Sequence, residues 1–196
     1  MSARVPAACL GALTVWTAVL GIAPRDRTTW WLESSLLFVT VALAVATYRK
    51  FRFSDRAYVQ ATVLLALHAV GSHYTYSATP IGAIVSHALG AERNHYDRFV
   101  HFMFGVLMLA PNRELFLGRT TISIARQVAL AIALIVAWGA LYEILEWLTA
   151  IVVDPGSGAA YLGTQGDEWD AQKDMACAGA GAAVAGVLEA TRLRRA

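Results

Sequence analysis

Gly163–Met175, GTQGDEWDAQKDM, decides how the rest of this chain is read. It sets Asp167, Asp170 and Asp174, with Gln165, Gln172 and Trp169, at the mouth of a small-residue apolar segment running to about Leu188. The surrounding chain is 57% hydrophobic and 15% charged, whereas soluble domains carry about a quarter charged residues. Its mean hydropathy is +0.50. Acids at membrane depth are costly and as a rule face a bundle interior, where they serve a function. The stretch therefore predicts an all-α membrane fold with one polar site inside it.

A length of 196 residues allows a single domain. The net charge of +2 and the absence of a basic stripe with interleaved aromatics exclude a nucleic-acid partner. Cys9 and Cys177 each lie in an apolar segment and read as small core hydrophobes, not as a disulfide or a metal pair. The N-terminal apolar run after Arg4 resembles a signal peptide, but Trp16, its length and the lack of a small-x-small motif before Pro24 favour a retained span.

A membrane-crossing helix needs about 20 predominantly apolar residues. Six segments are expected to cross, at about 5–22, 30–48, 57–76, 96–109, 123–153 and 169–188. Trp30 and Trp31 stand where an interfacial aromatic belt places them. The fourth segment is expected to end before Pro111, and the glycine-rich loop from Asp154 to Glu168 to turn away from the fifth. Residues 77–94 form a polar connection whose apolar patch, Ile81–Val85, suits a re-entrant or interfacial turn. The Ala- and Gly-rich sixth segment is expected to pack centrally, because small residues let helix backbones approach. Basic residues collect on the cytoplasmic side of membranes. With six spans, one side holds Arg4, Arg49, Lys50, Arg52, Arg56, Arg113, Arg119, Arg192, Arg194 and Arg195, and the other Arg25, Arg27 and Arg93. Both termini are therefore expected in the cytoplasm.

That topology gathers distant polar residues on the outer side: the starts of segments four and six, the end of segment five, His73 and Glu33. Asp97 and His101 are spaced i, i+4, Glu143 and Glu146 i, i+3, and Asp170 and Asp174 i, i+4, so each pair presents one helix face. Buried together, such acids need protons or cations. His95, His101, Glu143, Asp167, Asp170 and Asp174 form a candidate ligand set for a divalent metal, with zinc, manganese, iron and magnesium all open. Glu146 or Asp97 is the candidate general base. Arg93 and Arg98 are candidates to hold an anionic headgroup, with Gln165 and Trp169 beside the substrate.

Simpler readings stand beside these. Asp97 with Arg98, or Asp170 with Lys173, could be interfacial ion pairs, and the helix dipole favours acids in a first turn. That dipole does not cover Glu143 and Glu146, which fall near a helix C-terminus. Trp138, Trp147, Trp169 and Tyr142 read most simply as belt and packing residues, and His68 as a core histidine. Below the outer site, only His68 and Gln127 interrupt the apolar spans on this reading.

Three segments, HYDRFVHF (95–102), YEILEW (142–147) and LGTQGDEWDAQKDM (162–175), resemble the signatures of the YjdF-like bacterial inner-membrane proteins, a family of unknown function. They occur in the same order, and the resemblance runs from about His68 onward. It implies a multi-pass protein of the bacterial inner membrane. A weaker similarity is to VanZ-like membrane proteins, whose Asp-Lys-x-x-His, Glu-x-x-Gln and Asp-x-x-x-Asn segments resemble 97–101, 143–146 and 170–174. Here Arg98, Glu146 and Asp174 replace the Lys, Gln and Asn, which makes this site more acidic. That similarity implies a cell-envelope or lipid-linked role.

The leading expectation is a metal-dependent hydrolase or transferase acting on a membrane lipid or lipid-linked envelope precursor. The alternatives are a non-enzymatic factor that binds a lipid headgroup and a proton- or cation-coupled transporter. A serine or cysteine nucleophile is not expected: no Gly-x-Ser-x-Gly occurs and Cys177 has no base motif beside it. The sequence carries no signal for a particular oligomeric state.

Overall fold

The computed structural model of the chain describes residues 3–118, 120–153 and 155–194. Asp154, Arg119 and Arg195, which enter the loop and charge readings above, lie outside the described residues. There are eight helices and no strand among the described residues. They are α1 (Arg4–Leu20), α2 (Arg27–Thr47), α3 (Asp55–Tyr74), α4 (Pro80–Ala88), α5 (Tyr96–Leu117), α6 (Ile124–Val152), α7 (Pro155–Leu162) and α8 (Asp170–Leu193). Two of them, α2 and α6, are long and apolar enough to cross a membrane on composition alone, with mean hydropathies of 1.5 and 2.2.

Polar caps begin several of these helices where free N–H groups need acceptors. The Asp26 carboxylate accepts from Thr29 N–H at 2.6 Å, and the Ser54 hydroxyl accepts from Ala57 N–H at 3.2 Å. Contacts between helix ends show that the long helices alternate in direction. Arg25 N–H donates to the His73 carbonyl at 2.9 Å, and the His73 ring bonds the Leu20 carbonyl at 2.6 Å. The ends of α1 and α3 therefore meet at one end of the bundle, with the starts of α5 and α8. At the other, distal end Glu114 accepts from Ser54 and Arg113 donates to Gln127 at 3.0 Å, which joins α5 to α3 and α6.

Helix α8 is the centre, packed along α5 and α6. Its small residues permit this, as that segment predicts. A Cβ added to Gly181 would meet the Phe102 carbonyl oxygen at 2.0 Å, and one added to Gly105 would meet that of Ala178 at 2.0 Å. Around this seam Leu109, Ala131, Ile135, Ala178 and Ala182 form a fully buried apolar layer.

Three sequence readings are corrected. Helix α5 runs through Pro111 to Leu117 instead of ending at 109. Pro111 is buried and supplies no N–H, but Asn112 beside it donates to the Met108 carbonyl at 2.9 Å and accepts from Trp138 Nε1 at 3.0 Å. The proline removes the N–H that would reach the Leu107 carbonyl, and the helix is carried through it by the packing of α5 along α6 and α8. The 154–168 loop contains helix α7, started by Pro155, whose fixed φ suits a first helical position. Helix α8 continues past Leu188 to Leu193, which carries Glu189 into the distal end of the bundle. Glu189 is 1% exposed and pairs with Arg56 at 2.7 Å, Arg192 at 3.3 Å and Arg113 at 3.4 Å. The apolar stretch of α8 beyond its acidic first turn therefore ends in a buried charge cluster that the spacing of α8 does not announce. Residues 80–88 form helix α4, with Ile81 and Ile84 exposed.

Candidate functional site

The first turns of α5 and α8 and the last turns of α6 meet where the glycine seam lets α5 and α8 touch. Asp97 and His101 share a face of α5, as their spacing requires, and His101 Nε2 lies 3.5 Å from Asp97 Oδ1. From α6, Glu143 Oε1 stands 3.5 Å from the same nitrogen. From α8, Asp174 points in with 2% of its surface exposed. One donor atom each from Asp97, His101 and Asp174 falls within 4.8 Å of the others. Donors around a zinc-sized ion sit about 2.0–2.2 Å from it, so they stand at most about 4.4 Å apart. The triad is close to that spread.

The remaining acids of the stretch are matched to bases. Asp170 pairs with Arg93 at 2.5 Å and Arg98 at 3.4 Å. Asp167 pairs with Arg98, and with Lys173 at 2.7 Å. Three cations therefore serve Asp167 and Asp170. Glu33, Asp97, Glu143, Glu146 and Asp174 have no lysine or arginine at ion-pairing distance among the described residues. His101 alone serves Asp97 and Glu143. Asp174 Oδ1 and Glu143 Oε1 are buried and have no hydrogen-bond partner. Leaving such acceptors dry costs about 1–3 kcal/mol each, more when charged.

The other candidates sit around this centre. His95 precedes α5 and lines an open vestibule of about 420 Å³ with Arg93, Arg98, Gln165 and Asp167. It is not one of the triad. Partial burial, then the Arg98 and Arg93 guanidinium groups, push its imidazole below the ordinary histidine range. Gln165 has its amide engaged on the chain itself: it accepts from Asn94 N–H at 2.9 Å and donates to the Asn94 carbonyl at 3.1 Å. It thereby ties the two loops that edge the vestibule. Trp169 is 57% exposed and donates its indole N–H to Glu168 at 3.1 Å.

Behind Glu143 the polar region continues into α2 and α3. Glu33 is 3% exposed. The Tyr142 hydroxyl donates to its carboxylate at 3.4 Å, which moves Tyr142 from belt residue to site residue. Glu146 lies against Tyr142, within electrostatic reach of Glu33, Asp97 and Glu143. His68 bonds the Glu33 carbonyl at 2.9 Å and the Tyr76 hydroxyl at 2.5 Å, the core role its mid-helix position suggests. From α7 the buried Tyr161 covers this region. Burial, then the Glu33 and Glu146 carboxylates, hold its hydroxyl above the usual tyrosine range. A lone tyrosine in an Ala/Gly loop carries no signal of such a role. Tyr142 could have been found from its place beside Glu143.

The vestibule wall makes a pH prediction. The hydrogen bond from Lys173 above all, with Trp169 N–H and Arg98, holds the Asp167 carboxyl well below the usual aspartate range. A depressed folded-state value adds stability above the unfolded value and loses it as pH falls. The contribution should therefore be complete above about pH 5 and fade below about pH 4. Asp167→Asn is expected to flatten the acid side of the stability profile, read by thermal unfolding in detergent. Equal acid slopes in both proteins would remove Asp167 from this account.

Comparisons with known proteins agree with the resemblance in the three motifs. The family model described as "Predicted membrane protein (DUF2238)" matches residues 5–195. Inner membrane protein YjdF of Escherichia coli strain K12 is 35% identical over 175 residues, covering 87% of this chain and 81% of the relative. No solved structure matches. With nearly the whole chain matched, and with α2 and α6 apolar enough to cross a bilayer, the protein belongs to the DUF2238 family of predicted membrane proteins.

Proposed function

We propose that this protein is a membrane-embedded, metal-dependent hydrolase or transferase acting on a lipid or envelope precursor with an anionic headgroup. In this reading α1, α2, α3, α5, α6 and α8 cross the inner membrane, both termini are cytoplasmic and the site faces outward. The distribution of charge supports that orientation: Arg4, Arg49, Lys50, Arg52, Arg56, Arg113, Arg192 and Arg194 fall at the distal end.

The observation that carries the enzymatic reading is the buried, partnerless Asp174 oxygen beside the Asp97–His101 pair. Asp97, His101 and Asp174 would hold a divalent ion, which would polarise a phosphoryl or acyl oxygen of the substrate. Glu143, on the other side of His101, is placed to accept the proton of an attacking water or hydroxyl. Tyr142, Glu146 and Glu33 continue the proton-accepting network away from the vestibule. Arg93 and Arg98 line the vestibule, so their guanidinium groups carry positive charge to the mouth where an anionic headgroup would dock.

Metal content tests this directly. Plasma mass spectrometry of the detergent-purified protein should find about one equivalent of a divalent transition metal, lost in Asp97→Asn, His101→Ala. A metal-free wild type, grown with zinc and manganese and still folded, would overturn the reading.

A second reading, proton- or cation-coupled transport, draws on the buried acids and tyrosines that reach α2. The dry layer of Leu109, Ile135, Ala178 and Ala182 separates them from Glu189 and counts against a continuous path.

A further inference from the structure

Helices α1 and α2 both pack on α3, and between their distal halves lies a groove of about 300 Å³. The alanines Ala7, Ala44 and Ala61, one from each helix, leave the space open, and Pro6, Leu10 and Val45 line it further. Tyr48 and Tyr58 close its distal end, with ring centroids 6.2 Å apart. The groove walls are almost wholly apolar. Thr40, Thr62, Tyr48 and Tyr58 add a few polar atoms, of which the Tyr48 hydroxyl is buried with no hydrogen-bond partner. The chain then enters the loop holding Arg49, Lys50 and Arg52, and the Arg52 guanidinium lies 5.3 Å over the Tyr48 ring.

These features select an occupant. A helix with its side chains is about 10–12 Å across, so the space is too small for even one turn of a partner helix or of a second copy. A flexible hydrocarbon chain fits. An apolar slot that ends at two tyrosines, one with an unpartnered hydroxyl, and a cluster of cations complements a molecule with a hydrocarbon tail and a negative head. Basic pockets between helices at a membrane surface recognise anionic lipid headgroups in this way.

We propose that the groove between α1, α2 and α3 holds an acyl chain of an anionic phospholipid, with its phosphate against Tyr48, Arg49, Lys50 and Arg52. The site lies at the opposite end of the bundle from Asp174 and is independent of the chemistry proposed there. The lipid fills the gap between α1 and α2, each of which packs on α3.

The test is native mass spectrometry of the full-length protein, released from nanodiscs holding phosphatidylglycerol and phosphatidylcholine with identical acyl chains. The wild type should retain phosphatidylglycerol in preference to phosphatidylcholine. Arg49→Gln, Lys50→Gln, Arg52→Gln should weaken that preference roughly a hundredfold. Ala61→Trp, which fills the groove, should release both lipids, and Ala7→Phe provides the same test from α1 should the tryptophan variant aggregate. Equal retention of the two lipids by the wild type would overturn the proposal. So would undiminished retention by a monodisperse groove-filled variant, or equal protection of the wild type by glycerol phosphate alone, which would mark a free-phosphate site.

Discussion

Asp174→Asn will make the metal-free protein more stable than metal-free wild type, by about 1–3 kcal/mol, while abolishing metal retention. The sign follows from burial. Asp174 is 2% exposed and its Oδ1 has no partner, so without a cation the wild type holds an uncompensated acid against Asp97 and Glu143. Asparagine keeps the shape and removes the charge. With metal supplied the order should reverse, because ligand binding to the folded state stabilises with the logarithm of its concentration over Kd. Paired thermal melts with and without added metal read both signs. A destabilised metal-free variant would show that Asp174 is a structural acid with a partner in solution.

The second large effect is expected at the seam. Gly181→Val should cost more than the roughly 1–3 kcal/mol typical of an overpacked core, because the new atoms collide with backbone and not with a movable side chain. An added Cβ already meets the Phe102 carbonyl at 2.0 Å, so α5 and α8 must separate. Asp97 and His101 ride on one of these helices and Asp174 on the other, and the metal should be lost with the packing. Gly11 provides the control: nothing lies within 4 Å of its added Cβ, so Gly11→Val should keep metal and fold. Wild-type melting and metal content in Gly181→Val would refute the close approach.

Helical spacing made the polar faces readable before any coordinates. Asp97 with His101, and Asp170 with Asp174, lie on one face because four residues nearly complete a turn. Spacing does not tell which acid on a face finds a base. Asp170 and Asp174 are one turn apart on α8, yet Asp170 takes Arg93 and Arg98, whereas Asp174 takes neither at ion-pairing distance. That difference depends on how the loop before α5 folds over α8, through the Gln165–Asn94 clamp. Pro111 misled for a related reason: whether a helix runs through a proline is set by tertiary packing, here of α5 along α6 and α8, and not by the residue alone. Tyr161 lies within electrostatic reach of Glu33 on α2 and Glu189 pairs with Arg56 on α3, distant elements to which no local pattern points.

Helix α8 also bears on how the protein is made. It carries Asp170, Asp174 and Glu189, and it is not among the helices apolar enough to cross a bilayer unaided. In a six-span bundle it emerges from the ribosome after α5 and α6. Asp170 then finds Arg93 and Arg98, and Glu189 finds Arg56 and Arg113, already in place at the two ends, with Gly105 facing the α8 backbone between them. On the six-span topology proposed above, insertion of this helix is therefore a cooperative step that earlier helices template. The proposed metal site, which needs Asp174 of α8 beside Asp97 and His101 of α5, is completed only by that step.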